Sequence, residues 1–302
     1  MSSATEARDA LVAAILAFLG GADLLAVDDV RVELEREIDE AGDRAVVALK
    51  TRLAEDYGWE FYPCDDLARR IHHLLAGRFL ASDSAVESLE HLDGIESLPL
   101  VIVANHLSYA DANVVEVLLH RAGALSLAGR LTAVAGPKVF TSRERRFSSL
   151  CFGTIKVPQS AEVASEEAIL NPRDVARAAR RAIEVAHHRL AAGDALLLFP
   201  EGTRSRAAAM QPTLAAVARY LEFPNVVVVP AALTGSESLF SIDGTLRPAR
   251  VTLRFGASMA ADALFRRCDG DRRAVMDTIG QAIAALLPPA YRGVYPTADS
   301  ET

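Results

Sequence analysis

Four short, nearly unbroken apolar runs constrain this chain more than anything else in it. LVIVA occupies 100–104, LTAVAG 131–136, ALLLF 195–199 and NVVVVP 225–230. Runs of this length without polar alternation read as strands buried on both faces, which requires a sheet covered by helices on each side. The segments between them supply such helices. NPRDVARAARRAIEVAHHRLAAG, 171–193, has Asn171 as a cap, Pro172 in the first turn, Asp174 at the positive end and Gly193 to close it. Val175, Ala179, Ala182, Ala186 and Leu190 mark its buried stripe. A last helix over 272–287 carries Val275, Ile279, Ile283 and Leu286, and VTLRF at 251–255 alternates as a half-exposed strand would. The fold class expected is α/β: a mixed, largely parallel sheet covered by helices and preceded by a small N-terminal helical bundle.

The first part of the chain has a different grammar. Residues 1–98 hold 9 Lys and Arg against 21 Asp and Glu, a net of −12, whereas 99–302 carry a net of +4. Helical spacing of Val46, Leu49 and Leu53, and of Leu67, Ile71, Leu74 and Leu75, makes 1–80 a bundle. The division expected is 1–80 bundle, 81–98 linker, 99–290 α/β domain and 291–302 loose tail. The apolar stretch Ala10–Val27 is interrupted by Gly20, Gly21 and Asp23 and lacks a basic start. It therefore reads as a packed helix, with a helix that dips into a membrane interface as the alternative, and not as a signal peptide or a membrane span. Cys64, Cys151 and Cys268 form no disulfide framework or zinc spacing and suggest a reducing compartment. His72 and His73 are adjacent on one helix and read as packed or edge histidines. No basic run with interleaved aromatics appears, so nucleic acid is not an expected partner.

Two strand ends carry chemistry. ANHLSYADANVVEVLL, 104–119, follows the first buried run. Ser108 suits a helix N-cap, with Asp111 three residues on. His106 then sits just before the helix, at the carboxyl end of a strand, where ligands bind in open α/β sheets. A turn at Ser108 lets Asp111 fold back to His106, fix its tautomer and leave the other ring nitrogen free to take a proton. The stretch alone leaves two readings: an orienting carboxylate with its base, or a capping carboxylate beside an incidental histidine. ALLLFPEGTRSR, 195–206, ends a second strand and gathers Gly202, Thr203, Arg204, Ser205 and Arg206, a composition suited to a phosphate. It reads equally as a surface turn with Glu201 paired to an arginine. A parallel sheet would bring both ends to one edge.

NHLSYAD together with FPEGTRS resembles the glycerophospholipid acyltransferases, the group that includes glycerol-3-phosphate and lysophosphatidate acyltransferases. The resemblance spans 99–256, and VVVVPAAL at 226–233 is similar to a later block of that family. It implies that His106 deprotonates an acceptor hydroxyl while Asp111 orients it. It further implies that Glu201, Gly202, Thr203 and Arg204, with Arg206, hold the acceptor phosphate. The alkoxide attacks an acyl thioester, acyl-CoA or acyl-carrier protein acting as cosubstrate; no other cofactor and no metal is implied. This sequence has Leu107 where the family often has glutamine, and Gln159 where a middle block usually has arginine. Lys156, or the basic run Arg143, Arg145 and Arg146, stands in for that arginine.

The acidic helical region before the catalytic part, the Arg204–Arg206 pair and AGPKVFTSRERRFSSL look like soluble plastid-type glycerol-3-phosphate acyltransferases, whereas the intact FPEGTRS looks like lysophosphatidate acyltransferases. Glycerol 3-phosphate is the acceptor expected, with lysophosphatidate the alternative. The location expected is cytoplasmic, with transient contact at the inner face of a membrane. An acyl-thioester hydrolase and a non-catalytic lipid-phosphate binder are the rivals of another kind. A serine hydrolase is disfavoured because TGSES at 234–238 lacks the second glycine of a nucleophile elbow.

Overall fold

The computed structural model describes residues 3–20, 27–54, 58–140, 143–158, 172–239 and 247–295. Its helices are α1 (Ser3–Gly20), α2 (Val27–Ala54), α3 (Asp66–Phe79), α4 (Asp111–Arg121), α5 (Leu125–Gly129), α6 (Arg143–Leu150), α7 (Pro172–Ala191), α8 (Ala261–Arg267) and α9 (Arg272–Leu286). Its strands are β1 (Phe61–Tyr62), β2 (Ala85–Glu87), β3 (Leu100–Ala104), β4 (Leu131–Ala135), β5 (Gly153–Lys156), β6 (Ala195–Leu198), β7 (Val227–Thr234), β8 (Thr252–Phe255) and β9 (Met259–Ala260).

One sheet holds them in the order β1-β5-β4-β6-β3-β7-β8-β2, with β9 paired to β7. The five central strands, β5-β4-β6-β3-β7, are all parallel. β1 and β8 run antiparallel to their neighbours at either side, and β2 runs parallel to β8. This is the mixed, largely parallel α/β architecture that the apolar runs demand. Every residue of β3 and β6 is buried, whereas Leu253 and Phe255 of β8 are buried and Arg254 between them is exposed.

The two faces of the sheet carry separate apolar cores. Leu100, Ile102 and Ala104 of β3 pack with α1 to α6, and Val101 and Val103 with α7, α8 and α9. The N-terminal helices are not walled off from the first face. Leu34, Leu67 and Ile71 belong to the same contiguous core as Leu118, Leu119 and the strand residues. α2 breaks at Gly42, whose φ of 78° and ψ of 162° are not helical. Before the break its first half lies along α3, where Arg70 pairs with Glu37 and Glu40 and Arg78 with Glu33.

Three departures from the sequence reading concern connections. The stretch 81–98, expected as a linker, supplies β2, which pairs Ala85–Glu87 with Thr252–Arg254. The tail expected to be loose from 291 is tied down as far as Tyr295: Met210 N–H donates to the Tyr291 carbonyl at 2.9 Å, and Val294 N–H to Met210 at 3.2 Å. Residues 296–302 lie outside the described residues. The N-cap of α4 is Ala110, not Ser108, because the helix begins at Asp111. Ser108 Oγ instead accepts from Ala110 N–H at 3.0 Å, closing the turn before the helix. Asn171, expected to cap α7, is outside the described residues. Among the described residues, no helix is long and apolar enough to cross a membrane.

Candidate active site

Parallel pairing of β4, β6, β3 and β7 places the carboxyl ends of these strands along one edge. β7 runs three residues past its last backbone pairing with β3, at Ala231. The Asn105 side chain fills the gap. Its amide donates to the Leu233 carbonyl at 2.9 Å, and its oxygen accepts from Leu233 N–H at 2.7 Å. A side chain thus supplies the next rung of the ladder and frees the main chain to turn at His106.

His106 is held through its backbone by the loop after β6. Its N–H donates to Glu201 Oε1 at 2.8 Å, and its carbonyl accepts from Ser205 N–H at 2.7 Å. The other Glu201 oxygen accepts from Gln211 N–H at 2.7 Å. Burial pushes the Glu201 carboxyl up to about 7, against the downward pull of these two backbone bonds. The Glu201 side chain therefore lies inside the loop, joining it to His106, and does not line the cavity described below. A buried acceptor spent on two N–H groups does not hold a phosphate, which corrects the role expected of this residue.

Asp111 folds back as the turn at Ser108 suggests. Its Oδ2 accepts from His106 Nδ1 at 2.8 Å, Leu107 N–H at 2.6 Å and Ser108 N–H at 2.9 Å. Its Oδ1 accepts from Ser236 Oγ at 2.6 Å. A fully buried carboxylate needs such compensation, and the N-terminus of α4 adds a favourable field. With a carboxylate on the other side, Nδ1 carries the proton and Nε2 is the acceptor. The imidazole stacks on Phe199, ring centroids 4.4 Å apart and planes 21° from parallel.

His106 opens onto a cavity of about 330 Å³ that straddles the carboxyl edge of the sheet. Gly202, Thr203, Arg204 and Lys138 line it near the imidazole. On one sheet face it is walled by Asn113, Ser148, Phe152 and Thr154. On the other an apolar branch is lined by Val134, Val157 and Leu198 and by Val175, Ala179 and Ile183 of α7. Val175 and Ala179, expected in the core, thus wall this branch; the stripe packed beneath α7 is Ala178, Ala182, Val185, Ala186 and Leu190.

The mouth near His106 is positive. The Arg204 guanidinium lies 4.6 Å from the Tyr109 ring centroid and that of Arg145 5.6 Å from it. Burial alone would raise the Tyr109 phenol. The Arg204 hydrogen bond, with the charges of Arg204, Lys138 and Arg145, outweighs it and sets the phenol below its ordinary value.

Other expected residues lie elsewhere. Arg206 is exposed and does not line the cavity. Lys156 is buried and does not line the cavity; its Nζ lies 5.1 Å from the ring centroids of both Trp59 and Phe140. Gln159 is outside the described residues, as are the side-chain surroundings of Arg143; Arg146 donates to the Leu53 carbonyl at 3.1 Å. The sequence reading missed Lys138 and Tyr109, which lie within quoted motifs, and Ser236, whose only signal was its place just past a buried strand.

A helix-covered parallel sheet with a histidine–carboxylate pair opening onto a cavity at its carboxyl edge is the layout of an α/β transfer enzyme. Within that class the chain belongs to the acyltransferase family, whose model matches residues 84–234, half of its length. Among solved structures it is similar to the 1-acyl-sn-glycerophosphate (LPA) acyltransferase PlsC from Thermotoga maritima. The identity is 17%, the match covers 92% of this chain and 96% of that one, and the TM-score is 0.47. No curated protein matches the chain.

Proposed function

We propose that this acyltransferase moves a fatty acyl group from a thioester, acyl-CoA or acyl-carrier protein, to a hydroxyl of glycerol 3-phosphate. The observation that carries the reading is the shared cavity: His106, paired with Asp111, and the cations Arg204 and Lys138 face one space. His106 Nε2 takes the hydroxyl proton as the oxygen attacks the thioester carbonyl. The C–O bond forms, the C–S bond breaks, and the imidazolium returns its proton to the leaving thiolate. Asp111 stabilises the imidazolium between these steps. Gly202, Thr203 and Arg204, joined by Lys138, take the acceptor phosphate; guanidinium and ammonium groups suit its charge.

The apolar branch under α7 suits the acyl chain. On the other sheet face the lining is Asn113, Ser148 and Thr154, all polar, with the ring of Phe152. Polar side chains on that face favour an acceptor that brings no chain of its own, and so glycerol 3-phosphate over lysophosphatidate. A contact with a membrane surface, from which acyl donors or products would exchange, belongs to the same proposal.

The test is an assay of purified protein with a labelled acyl thioester and a panel of glycerol 3-phosphate, lysophosphatidate and non-phosphorylated alcohols. Acyl transfer to glycerol 3-phosphate, abolished in His106→Ala, is the expected result. Transfer to lysophosphatidate alone would reverse the acceptor assignment. Release of free fatty acid independent of any acceptor would replace it with a hydrolase.

A further inference from the structure

Ser236 lies outside the segment matched by the family model, in the turn that follows β7, and its side chain is fully buried. Its hydroxyl donates to Asp111 Oδ1 at 2.6 Å across 125 residues of sequence. The three other donors to Asp111 all fall on Oδ2. The torsion that sets a carboxylate plane is soft, and three donors crowded on one oxygen leave that plane free to rock about them. A fourth donor on the opposite oxygen removes the freedom. It fixes the direction in which Oδ2 meets His106 Nδ1, and it compensates the buried charge on the side away from the imidazole.

The turn is built to deliver that hydroxyl. Leu233, three residues earlier, is locked to the end of β3 by both polar atoms of Asn105. Gly235 has φ +89°, and a Cβ there would overlap the carbonyl oxygen of Arg250, so this position requires glycine. On the far side Glu237 Oε1 accepts from the Tyr291 hydroxyl at 2.5 Å. Ser236 is thus fixed before and after. It does not line the cavity, and its proton is committed to Asp111, so it is not a nucleophile.

We propose that Ser236 is a positioning residue for acyl transfer, which acts through the Asp111 carboxylate to aim the His106 imidazole at the acceptor hydroxyl. The proposal rests on the reading of His106 as the base, and its test separates the two. Four variants are assayed for kcat and for KM of each substrate: Ser236→Ala, Asp111→Asn, the double variant, and His106→Ala. Ser236→Ala is expected to lower kcat by about 10- to 100-fold, as loss of an orienting partner does elsewhere, with both KM values within about twofold. In the Asp111→Asn background the same substitution is expected to change kcat by less than about twofold, since residues acting as a unit are not additive. Ser236→Cys, a weaker donor of similar shape, is expected to fall between serine and alanine and serves if the alanine variant does not fold.

If the effects of Ser236→Ala and Asp111→Asn multiply, Ser236 acts by another route and the proposal fails. It also fails if Ser236→Ala turns over as the parent does while His106→Ala is inactive, in which case the base reading stands. Full turnover by His106→Ala would remove the base reading and this proposal together.

Discussion

In the proposed reaction His106 accepts the hydroxyl proton, so His106→Ala is expected to lower turnover by about 10²- to 10⁴-fold with little change in thermal midpoint. Arg204→Ala should raise the KM of the phosphorylated acceptor and leave that of the acyl donor; movement of the donor KM alone would place the phosphate elsewhere. Glu201 predicts a pH effect instead. Burial raises its carboxyl from 4.5 to about 7. The folded chain then holds this proton more tightly than the unfolded chain does. The associated stability is fully present below about pH 4.5 and is lost as pH rises through about 7. Glu201→Gln removes the titration, so the parent's thermal midpoint should fall relative to the variant's across that window. A constant difference between them would place the Glu201 carboxyl in its ordinary range. At this scale the sequence disclosed neighbours in the chain and little else. His106 and Asp111 are five residues apart, and the turn between them was readable. Ser236 meets Asp111 only because β7 lies beside β3, and a Glu in a basic loop does not announce that it points inward.

Among elements, α7 forms the roof of the apolar branch with Val175, Ala179 and Ile183. Ala179→Phe adds a ring to that space and is expected to shift acyl-donor preference toward shorter chains without changing the acceptor KM; competition between donors of different length measures it. The turn after β7 offers a sharper element-scale test. Gly235→Ala combines a left-handed backbone with overlap on a backbone carbonyl, so a loss of about 2 kcal/mol or more in unfolding free energy is expected. The long apolar strands and α7 were legible because burial on two faces and helical periodicity each leave a pattern over five or more residues. β1 and β9 have two residues each and β2 three, too few to show a period. β1 and β2 pair at the two ends of the sheet and β9 beside β7, so their pairing is imposed by the finished sheet. The cap of α4 was misread for a related reason: Ser108 bonds two residues ahead instead of three.

Across the whole molecule the acidic N-terminal helices and the sheet share one core. Tyr62, Leu67, Ile71 and Leu75 pack in it with Leu118 and Leu119 of α4. Deletion of residues 1–80 would expose this surface, and the shortened chain is expected to be recovered only as aggregate; a soluble, cooperatively unfolding fragment would contradict the shared core. The same interface carries an acid response. Burial lowers His72 from 6.5 to about 4, against the opposing charge of Glu116, with His73 and Arg69 alongside. Its contribution to stability is present above about pH 6.5 and is lost as pH falls through about 4, opposite in sign to that of Glu201. His72 Nε2 meets the Asn113 carbonyl at 3.1 Å, so His72→Gln keeps a donor there and should flatten the acid limb of the stability profile.

One further consequence follows from the two bonds that clasp the main chain of His106, from Glu201 on one side and Ser205 on the other. They fasten the main chain of His106 to the turn that carries Arg204, so the two stay together whatever the ninety-odd residues that separate them along the chain do. In the proposed reaction an acceptor anchored there by its phosphate would present a hydroxyl to the ring at a reach that these bonds help to set. On the proposed function the chain would select its acceptor as a caliper does, by the number of carbons between two groups.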